Sequence, residues 1–232
     1  MPLCAFLLSV VCLCSLAAGA QAPPAGDNPF FREWKTPFGV PPFQEIRDEH
    51  FLPAFQSGIA ARKREVEEIA NNPVPATFAN TLEALDRVGR LLDKVQPVFS
   101  NLSSAETNER LQEIDREVAP LLAAARDDIY LNPRLFARVK AVWEKRAGLG
   151  LNPVQLRLVE EIYKDFVRGG ANLNASDQER LRAINKELSP LSVRFGNNLL
   201  KETNAYRLVV ENQADLAGLP ERTVAGAAEA AK

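Results

Sequence analysis

Histidine, the residue that most often acts as a general acid or base, occurs once in this sequence, as His50. It lies between Glu49 and Phe51, at the predicted start of a helix. A role as a metal ligand or proton shuttle would need further ligands or a reacting partner, and none is evident nearby in the sequence. We therefore interpret His50 as a polar residue that makes a local hydrogen bond.

Two pairs of adjacent carboxylates, Asp127-Asp128 and Glu160-Glu161, could supply a general acid and a general base. Neighbouring residues on a helix point about 100° apart, so neither pair would converge on one substrate atom. We interpret both pairs as solvated charges on helix surfaces.

Two further motifs could suggest a nucleophile or a phosphate site. Ser103-Ser104 has no nearby basic residue of the kind that activates a nucleophile. Gly169-Gly170 is not followed by Lys-Ser/Thr, so we interpret it as a helix terminator rather than a phosphate loop. The sequence thus assigns no residue a catalytic, cofactor-binding or metal-binding role.

The helices that would position these residues are most clearly marked between Asp127 and Leu173. Asn132-Pro133 and Asn152-Pro153 each combine an N-cap side chain with a proline at the first helical position. Apolar residues follow each start at helical spacing: Leu135, Phe136, Val139, Val142 and Trp143, then Leu158, Val159, Ile162, Tyr163 and Phe166. Gly148, Gly150 and the Gly169-Gly170 pair close the two helices. The segment is predicted to be a helical hairpin.

Similar apolar stripes predict helices on both sides of this hairpin, and short loops favour antiparallel packing of neighbours. The stripes are Phe51, Phe55, Ile59, Val66 and Ile69; Phe78, Leu82, Leu85, Leu92, Val95 and Phe99; Leu111, Ile114, Val118, Leu121, Leu122 and Ala125; and Leu181, Ile184, Leu188, Leu191, Phe195 and Leu199. Pro97, Pro120 and Pro190 are expected to kink or stop them. A capping box at residues 176–179 opens the last one.

The C-terminal part reads differently. Tyr206 to Val210 is predicted to be a short strand, although no partner strand is recognisable. Leu219-Pro220-Glu221 begins another helix, and the sequence ends in Ala-Ala-Glu-Ala-Ala-Lys without a capping residue. From these features we expect that the natural polypeptide continues. The predicted fold class is all-α, an antiparallel bundle of helical hairpins with one short strand near the C-terminus.

The first 22 residues are interpreted as a secretory signal peptide. Leu3 to Leu16 is an uncharged apolar run, followed by the small residues Ala18-Gly19-Ala20 and then Ala22, a pattern that signal peptidase cleaves. No Lys or Arg precedes Arg32, so a buried or cytosolic N-terminus is an alternative, and a lipid anchor at Cys14 is another.

All three cysteines, Cys4, Cys12 and Cys14, fall within this segment. The mature chain would therefore have no disulfide and no thiolate metal site. We expect an exported, periplasmic or secreted protein without a membrane anchor after cleavage.

Residues 23–47 combine many prolines with the aromatics Phe30, Phe31, Trp34, Phe38 and Phe43. We expect an extended arm pinned onto the helical body, the alternative being a peptide-binding surface of aromatic rings. The predicted division is 1–22 signal peptide, 23–47 arm, 48–204 helical domain and 205–232 strand and start of a helix. The net charge of −2, with both signs interspersed, argues against a nucleic-acid partner.

Several short sequence motifs, which follow one another in a fixed order along the chain, indicate a known family. They are N-P-F-F, W-K-T-P-F-G-V-P-P-F and E-H-F-L-P-A-F between Asn28 and Phe55; D-I-Y-L-N, L-F-A-R-V-x-A-V-W, L-G-L and R-L-V-E in the hairpin; and L-V-V-E-N with L-A-G-L beyond it. Together they resemble the N-terminal region of the thimet-oligopeptidase-like zinc metallopeptidases, most of all the bacterial peptidyl-dipeptidase branch. The resemblance covers roughly residues 28–232.

The resemblance implies a parent enzyme whose zinc is held by an H-E-x-x-H helix and a downstream Glu. This chain has no such motif, so zinc is expected in the full-length parent and not here, and the chain alone should be inactive. The family's helical N-terminal region forms part of a wall around a channel, which implies short unfolded peptides as partners, with release of C-terminal dipeptides. The alternatives are a free-standing secreted helical module that binds peptides or proteins, and a purely structural helical protein.

Overall fold

The computed structural model describes residues 28–231. The predicted signal peptide, with Cys4, Cys12 and Cys14, lies outside the described residues. So do the first residues of the predicted arm.

The chain forms two compact units that meet in sequence between Thr107 and Asn108. The described part of the first contains 3₁₀ turns at Pro29–Phe31, Pro37–Gly39 and Asp48–His50, helix α1 (Phe51–Ala70), a π-helix (Phe78–Glu83), α2 (Ala84–Asp86) and α3 (Arg90–Ala105). That of the second contains α4 (Glu109–Tyr130), α5 (Pro133–Lys145), a 3₁₀ turn (Arg146–Gly148), α6 (Pro153–Arg168), α7 (Ala175–Ala205), a 3₁₀ turn (Gln213–Leu216) and α8 (Glu221–Ala230). The predicted all-α class is confirmed.

The core of the first unit forms where α1 packs on α3. Phe51 and Phe55 both meet the ring of Phe99 edge-on, with centroids 5.1 and 5.3 Å apart. Phe30, from the first 3₁₀ turn, lies 5.3 Å from Phe51 and is also buried. Four of the five residues of the predicted α1 stripe are buried, and the fifth, Ile59, is half-buried.

The stripe from Phe78 to Phe99, predicted as one helix, is divided in the structure. It begins as a π-helix capped by Thr77 and is broken before α3 by Gly89, whose φ is +89°. Such a left-handed residue cannot continue a right-handed helix, and glycine adopts it without a Cβ penalty. Pro97 and Pro120 were expected to kink or stop their helices, but both lie inside them and end neither.

In the second unit, α5 and α6 form the predicted hairpin. The Asn132 carboxamide accepts from the backbone N–H of Arg134 and Leu135, each at 3.0 Å. Asn152 accepts from Gln155 N at 2.9 Å, while the Gln155 side chain accepts from Asn152 N at 3.1 Å. Both predicted caps are confirmed, and the second is a reciprocal capping box.

Two predictions about the C-terminal third are wrong. Helix α7 begins before Ser176, because Asn174 accepts from Asp177 N at 2.9 Å and provides the cap. Tyr206–Val210 is not a strand, since no other segment of the described chain pairs with it. An isolated strand has no ladder hydrogen bonds to stabilise it. The helix predicted to start at Pro220-Glu221 is confirmed as α8.

Within residues 28–231, no helix is both long enough and apolar enough to cross a membrane.

Candidate interaction surfaces

His50 makes the local contacts expected of a structural residue. Its Nδ1 accepts a hydrogen bond from Arg47 N at 3.0 Å, and its carbonyl accepts one from the Asn28 carboxamide at 2.8 Å. These two bonds join the arm to the start of α1. The local hydrogen bond predicted for His50 is therefore present.

The prediction of a solvated pair at Asp127-Asp128 is wrong for Asp127, whereas Asp128 is exposed as predicted. Asp127 is buried and accepts from the Asn185 carboxamide at 2.7 Å, and Asp128 pairs with Arg182 at 3.1 Å. Both partners lie on α7, so the pair ties α4 to α7. The two carboxylates thus bind different residues of α7, Asn185 and Arg182.

Glu160 and Glu161 lie in an exposed charge network on α6. Glu160 pairs with Arg157 and Lys164 at 3.5 and 3.8 Å, and Glu161 pairs with the same two residues at 2.9 and 3.4 Å. Ion pairs of this exposure contribute little to stability. These carboxylates belong to the solvated helix surface, as predicted.

The described residues show neither a hydrogen-bonded Ser103 nor a cluster of metal-binding side chains. The hydroxyl of Ser103 is buried and has no hydrogen-bond partner among the described residues. Nowhere in residues 28–231 do three His, Cys, Asp or Glu side chains gather as a metal would require. With His50 as the one histidine, and its Nδ1 already accepting from Arg47, the described residues do not fit a zinc site.

The arm is anchored by α3. Lys94 donates to the carbonyls of Arg32 at 2.7 Å and Phe30 at 3.3 Å, and its ammonium lies 4.5 Å from the centre of the Trp34 ring. Burial lowers the pKa of Lys94, and the Glu33 carboxylate opposes part of that shift. The indole N–H of Trp34 donates to Pro29 O at 2.9 Å. The predicted pinning of the arm thus depends on specific contacts of Phe30, Trp34 and Lys94.

Other aromatics of the arm remain in solvent. Phe38 is fully exposed and has a φ of +59°, which is uncommon for any residue with a Cβ. A groove of about 560 Å³ lies beside the arm, lined by Arg32, Glu33, Trp34, Lys35, Thr36, Pro42 and Glu45. Exposed rings and a groove within the same arm are compatible with the alternative of a peptide-binding surface, which stays a prediction.

A run of stacked rings on the second unit could not be recognised from apolar spacing alone. Trp143 and Tyr163 are parallel with centroids 4.5 Å apart, and the Arg146 guanidinium lies 3.5 Å from the Trp143 ring centre. Phe136 stacks on Tyr163 at 6.1 Å and on Phe166 at 5.9 Å. The rings join α5 to α6 and explain why this hairpin packs closely.

Helix α7 packs on α4 but carries an apolar surface that the described chain covers only in part. Its large apolar residues recur at spacings of 4, 3, 4 and 4 and therefore share one helix face. We name this set the α7 stripe: Ile184, Leu188, Leu191, Phe195 and Leu199. None of α7 is fully buried, although the helix is 31 residues long.

Comparison with curated proteins finds relatives of this chain among peptidases. It is 42% identical to dipeptidyl carboxypeptidase of Escherichia coli over 205 residues, which are 88% of this chain and 30% of that protein. The Salmonella typhimurium dipeptidyl carboxypeptidase gives the same identity and coverage. These homologues are peptidases of the thimet-oligopeptidase family.

A second peptidase of this family shows the same partial coverage. Oligopeptidase A of Escherichia coli is 29% identical over 192 residues, covering 83% of this chain and 28% of that protein. The chain therefore spans less than a third of the length of these relatives, as fits an N-terminal portion. No family profile matches it.

Proposed function

We propose that this chain is the N-terminal helical, channel-forming part of an exported zinc peptidase of the peptidyl-dipeptidase type. The observation that carries the proposal is the 42% identity to dipeptidyl carboxypeptidase, confined to 30% of that protein's length. Its substrates would be short unfolded peptides that lose C-terminal dipeptides. The zinc and its ligands would belong to the remainder of the enzyme.

The helical architecture supports the channel role. A wall of packed helices is rigid enough to hold a narrow opening, and a narrow opening excludes folded proteins by size. Selectivity then needs no reading of individual side chains. The α1–α3 and α5–α6 packing, with its interlocked aromatic rings, supplies that rigidity.

The chain alone is expected to be inactive. Purified residues 23–232 should contain no stoichiometric zinc by elemental analysis and release no dipeptide from a short unstructured peptide. One equivalent of zinc together with dipeptide release would contradict the proposal.

A chimera tests the positive side of the same claim. In it, this chain replaces the matching segment of the Escherichia coli dipeptidyl carboxypeptidase. It should release dipeptides from a short peptide and leave a folded protein uncut. The matched control carries Glu→Gln in the H-E-x-x-H motif expected in the Escherichia coli segment, and should be inactive on both.

Export is proposed from the apolar segment and the small residues Ala18 to Ala20. Mass spectrometry of protein recovered from outside the cytoplasm should show an N-terminus at Pro23. A start at Cys14 with the mass of attached lipid would instead establish the lipoprotein alternative. An intact Met1 would contradict export.

The exposed arm favours one further candidate, a free-standing secreted module that binds peptides or proteins. Its supporting observations are the fully exposed Phe38 ring and, separately, the groove lined by residues of the arm. If the chain alone binds an unstructured peptide with micromolar affinity, and Phe38→Ala abolishes that binding, this candidate replaces the first.

A further inference from the structure

The α7 stripe is more exposed than the surface helix of a self-contained unit requires. Its side chains are between 41% and 70% exposed, and they extend over 16 residues, or about 22 Å along the helix. A groove of about 510 Å³ follows the same face, lined by Leu188, Leu191, Ser192, Arg194, Phe195 and Asn198. Contiguous apolar surface of this kind commonly marks an interaction site.

The segment directly after α7 also has exposed apolar side chains and a backbone with which no other described segment pairs. Tyr206, Leu208, Val209 and Val210 are all exposed. Among the described residues, no backbone hydrogen bond joins Leu208–Val210 to another part of the chain. Tyr206, Val209 and Val210 are of types that favour strands, and an extended segment with unpaired backbone groups is suited to strand pairing. One stretch of chain thus presents an apolar helix face followed by an unpaired extended segment.

We propose that the α7 stripe and residues 206–210 form one continuous docking surface, occupied by the part of the peptidase that lies outside the matched segment. That part would lay an apolar face against the stripe and pair a strand with Leu208–Val210. The inference rests on the proposed function, because it takes the occupant from the same enzyme.

The extent of the match favours this occupant over a second copy of the chain. The matched segment is 30% of the relative's length, so the relative contains more than twice as much additional polypeptide. A partner joined through the chain itself has an effective concentration in the millimolar range, which a second copy in solution does not reach.

The experiment uses the chimera in which the full chain replaces the matching segment of the Escherichia coli dipeptidyl carboxypeptidase. The test variant is Leu188→Glu/Phe195→Glu, which places two charges on the stripe. The control is Val154→Glu on α6, where an equally apolar and 78% exposed residue lies off the surface. A second test variant, Val209→Pro, removes a backbone donor from the extended segment.

The parent chimera and the Val154→Glu control should each unfold in one thermal transition. The stripe variant should unfold in two, and both test variants should raise the rate of proteolytic cleavage within residues 206–210 by at least about tenfold. One shared transition and unchanged cleavage in the test variants would overturn the docking surface. A parent chimera that unfolds in two transitions would overturn it as well.

Peptidase activity and docking fail independently in this design. An active chimera whose test variants behave like the control keeps the proposed function and overturns the inference. An inactive chimera with one transition that the stripe variant divides keeps the inference and counts against the proposed function. Sedimentation of the full chain alone identifies a rival occupant, because a dimer that the stripe variant abolishes would assign the surface to a second copy.

Discussion

Helices α1 and α7 both carry apolar stripes, yet they differ in what covers those stripes. Seven of the 20 residues of α1 are buried, whereas none of the 31 residues of α7 is. The difference lies in their neighbours, since the rings of α3 and the arm cover α1, whereas α7 packs on α4 and its stripe stays 41% to 70% exposed among the described residues. An apolar stripe shows which residues favour burial, but it does not identify the element that packs on them.

Truncating one aromatic ring on each helix, in the chain alone, tests the difference in burial between α1 and α7. Phe55 is 1% exposed, so Phe55→Ala should lower the free energy of unfolding by about 3–5 kcal/mol. Phe195 is 70% exposed, so Phe195→Ala should change it by less than about 0.5 kcal/mol. Urea denaturation followed by circular dichroism measures both. Equal losses would mean that α7 is buried in solution.

Glycine substitutions sharpen the comparison at two backbone positions. Gly170 has a φ of +98°, and an added Cβ would lie 2.6 Å from a methyl carbon of Leu181. Gly170→Ala should therefore lower the free energy of unfolding by about 2 kcal/mol. A Cβ at Gly196, within α7, would meet nothing within 4 Å. Gly196→Ala should therefore raise the free energy of unfolding by about 0.5–1 kcal/mol, because alanine favours the helix more than glycine does. Denaturation midpoints that move in the same direction would contradict this account.

The caps test whether local signals are equally effective along the chain. Asn132→Ala and Asn152→Ala should each lower the free energy of unfolding by about 1 kcal/mol, because each leaves backbone N–H groups at a helix start without an acceptor. Asn→Ser at the same positions is the matched control and should retain most of the stability that each cap contributes. Unchanged urea midpoints in both alanine variants would argue against these helix starts.

The smallest effect expected is a pH dependence in α4. Burial raises the pKa of Asp115 above 3.8, and Arg116 partly opposes the shift. The folded state therefore binds the proton more tightly than the unfolded state, and this residue's contribution to stability is lost as pH rises through its folded pKa.

Asp115→Asn removes that dependence. The stability of the wild type minus that of the variant should therefore fall between pH of about 3 and 6. Urea denaturation at both pH values measures the difference. A difference that rises with pH would reverse the sign assigned to the burial of Asp115.

Features set by neighbouring residues could be predicted from the sequence. The caps at Asn132 and Asn152 depend only on the first turn that follows them, and the α1 stripe depends only on helical spacing. The same reasoning placed the start of α8 at Pro220-Glu221.

Features set by distant partners could not be predicted. The burial of Asp127 follows from Asn185, 58 residues away, and the break at Gly89 interrupts an otherwise regular apolar spacing. The segment Tyr206–Val210 has strand-forming residues, but a strand needs a second strand and the described chain supplies none. The candidate docking surface likewise became visible only when side-chain exposure was known.

Hydrogen exchange tests whether the segment after α7 pairs with a strand from the rest of the enzyme. It compares the backbone amides of Leu208, Val209 and Val210 in the free chain and in the chimera. In the free chain they should exchange as fast as amides of an unfolded peptide, because nothing in the described chain protects them. In the chimera they should be slowed at least about a hundredfold, as expected of paired strand amides. Fast exchange in an active, fully folded chimera would contradict the account.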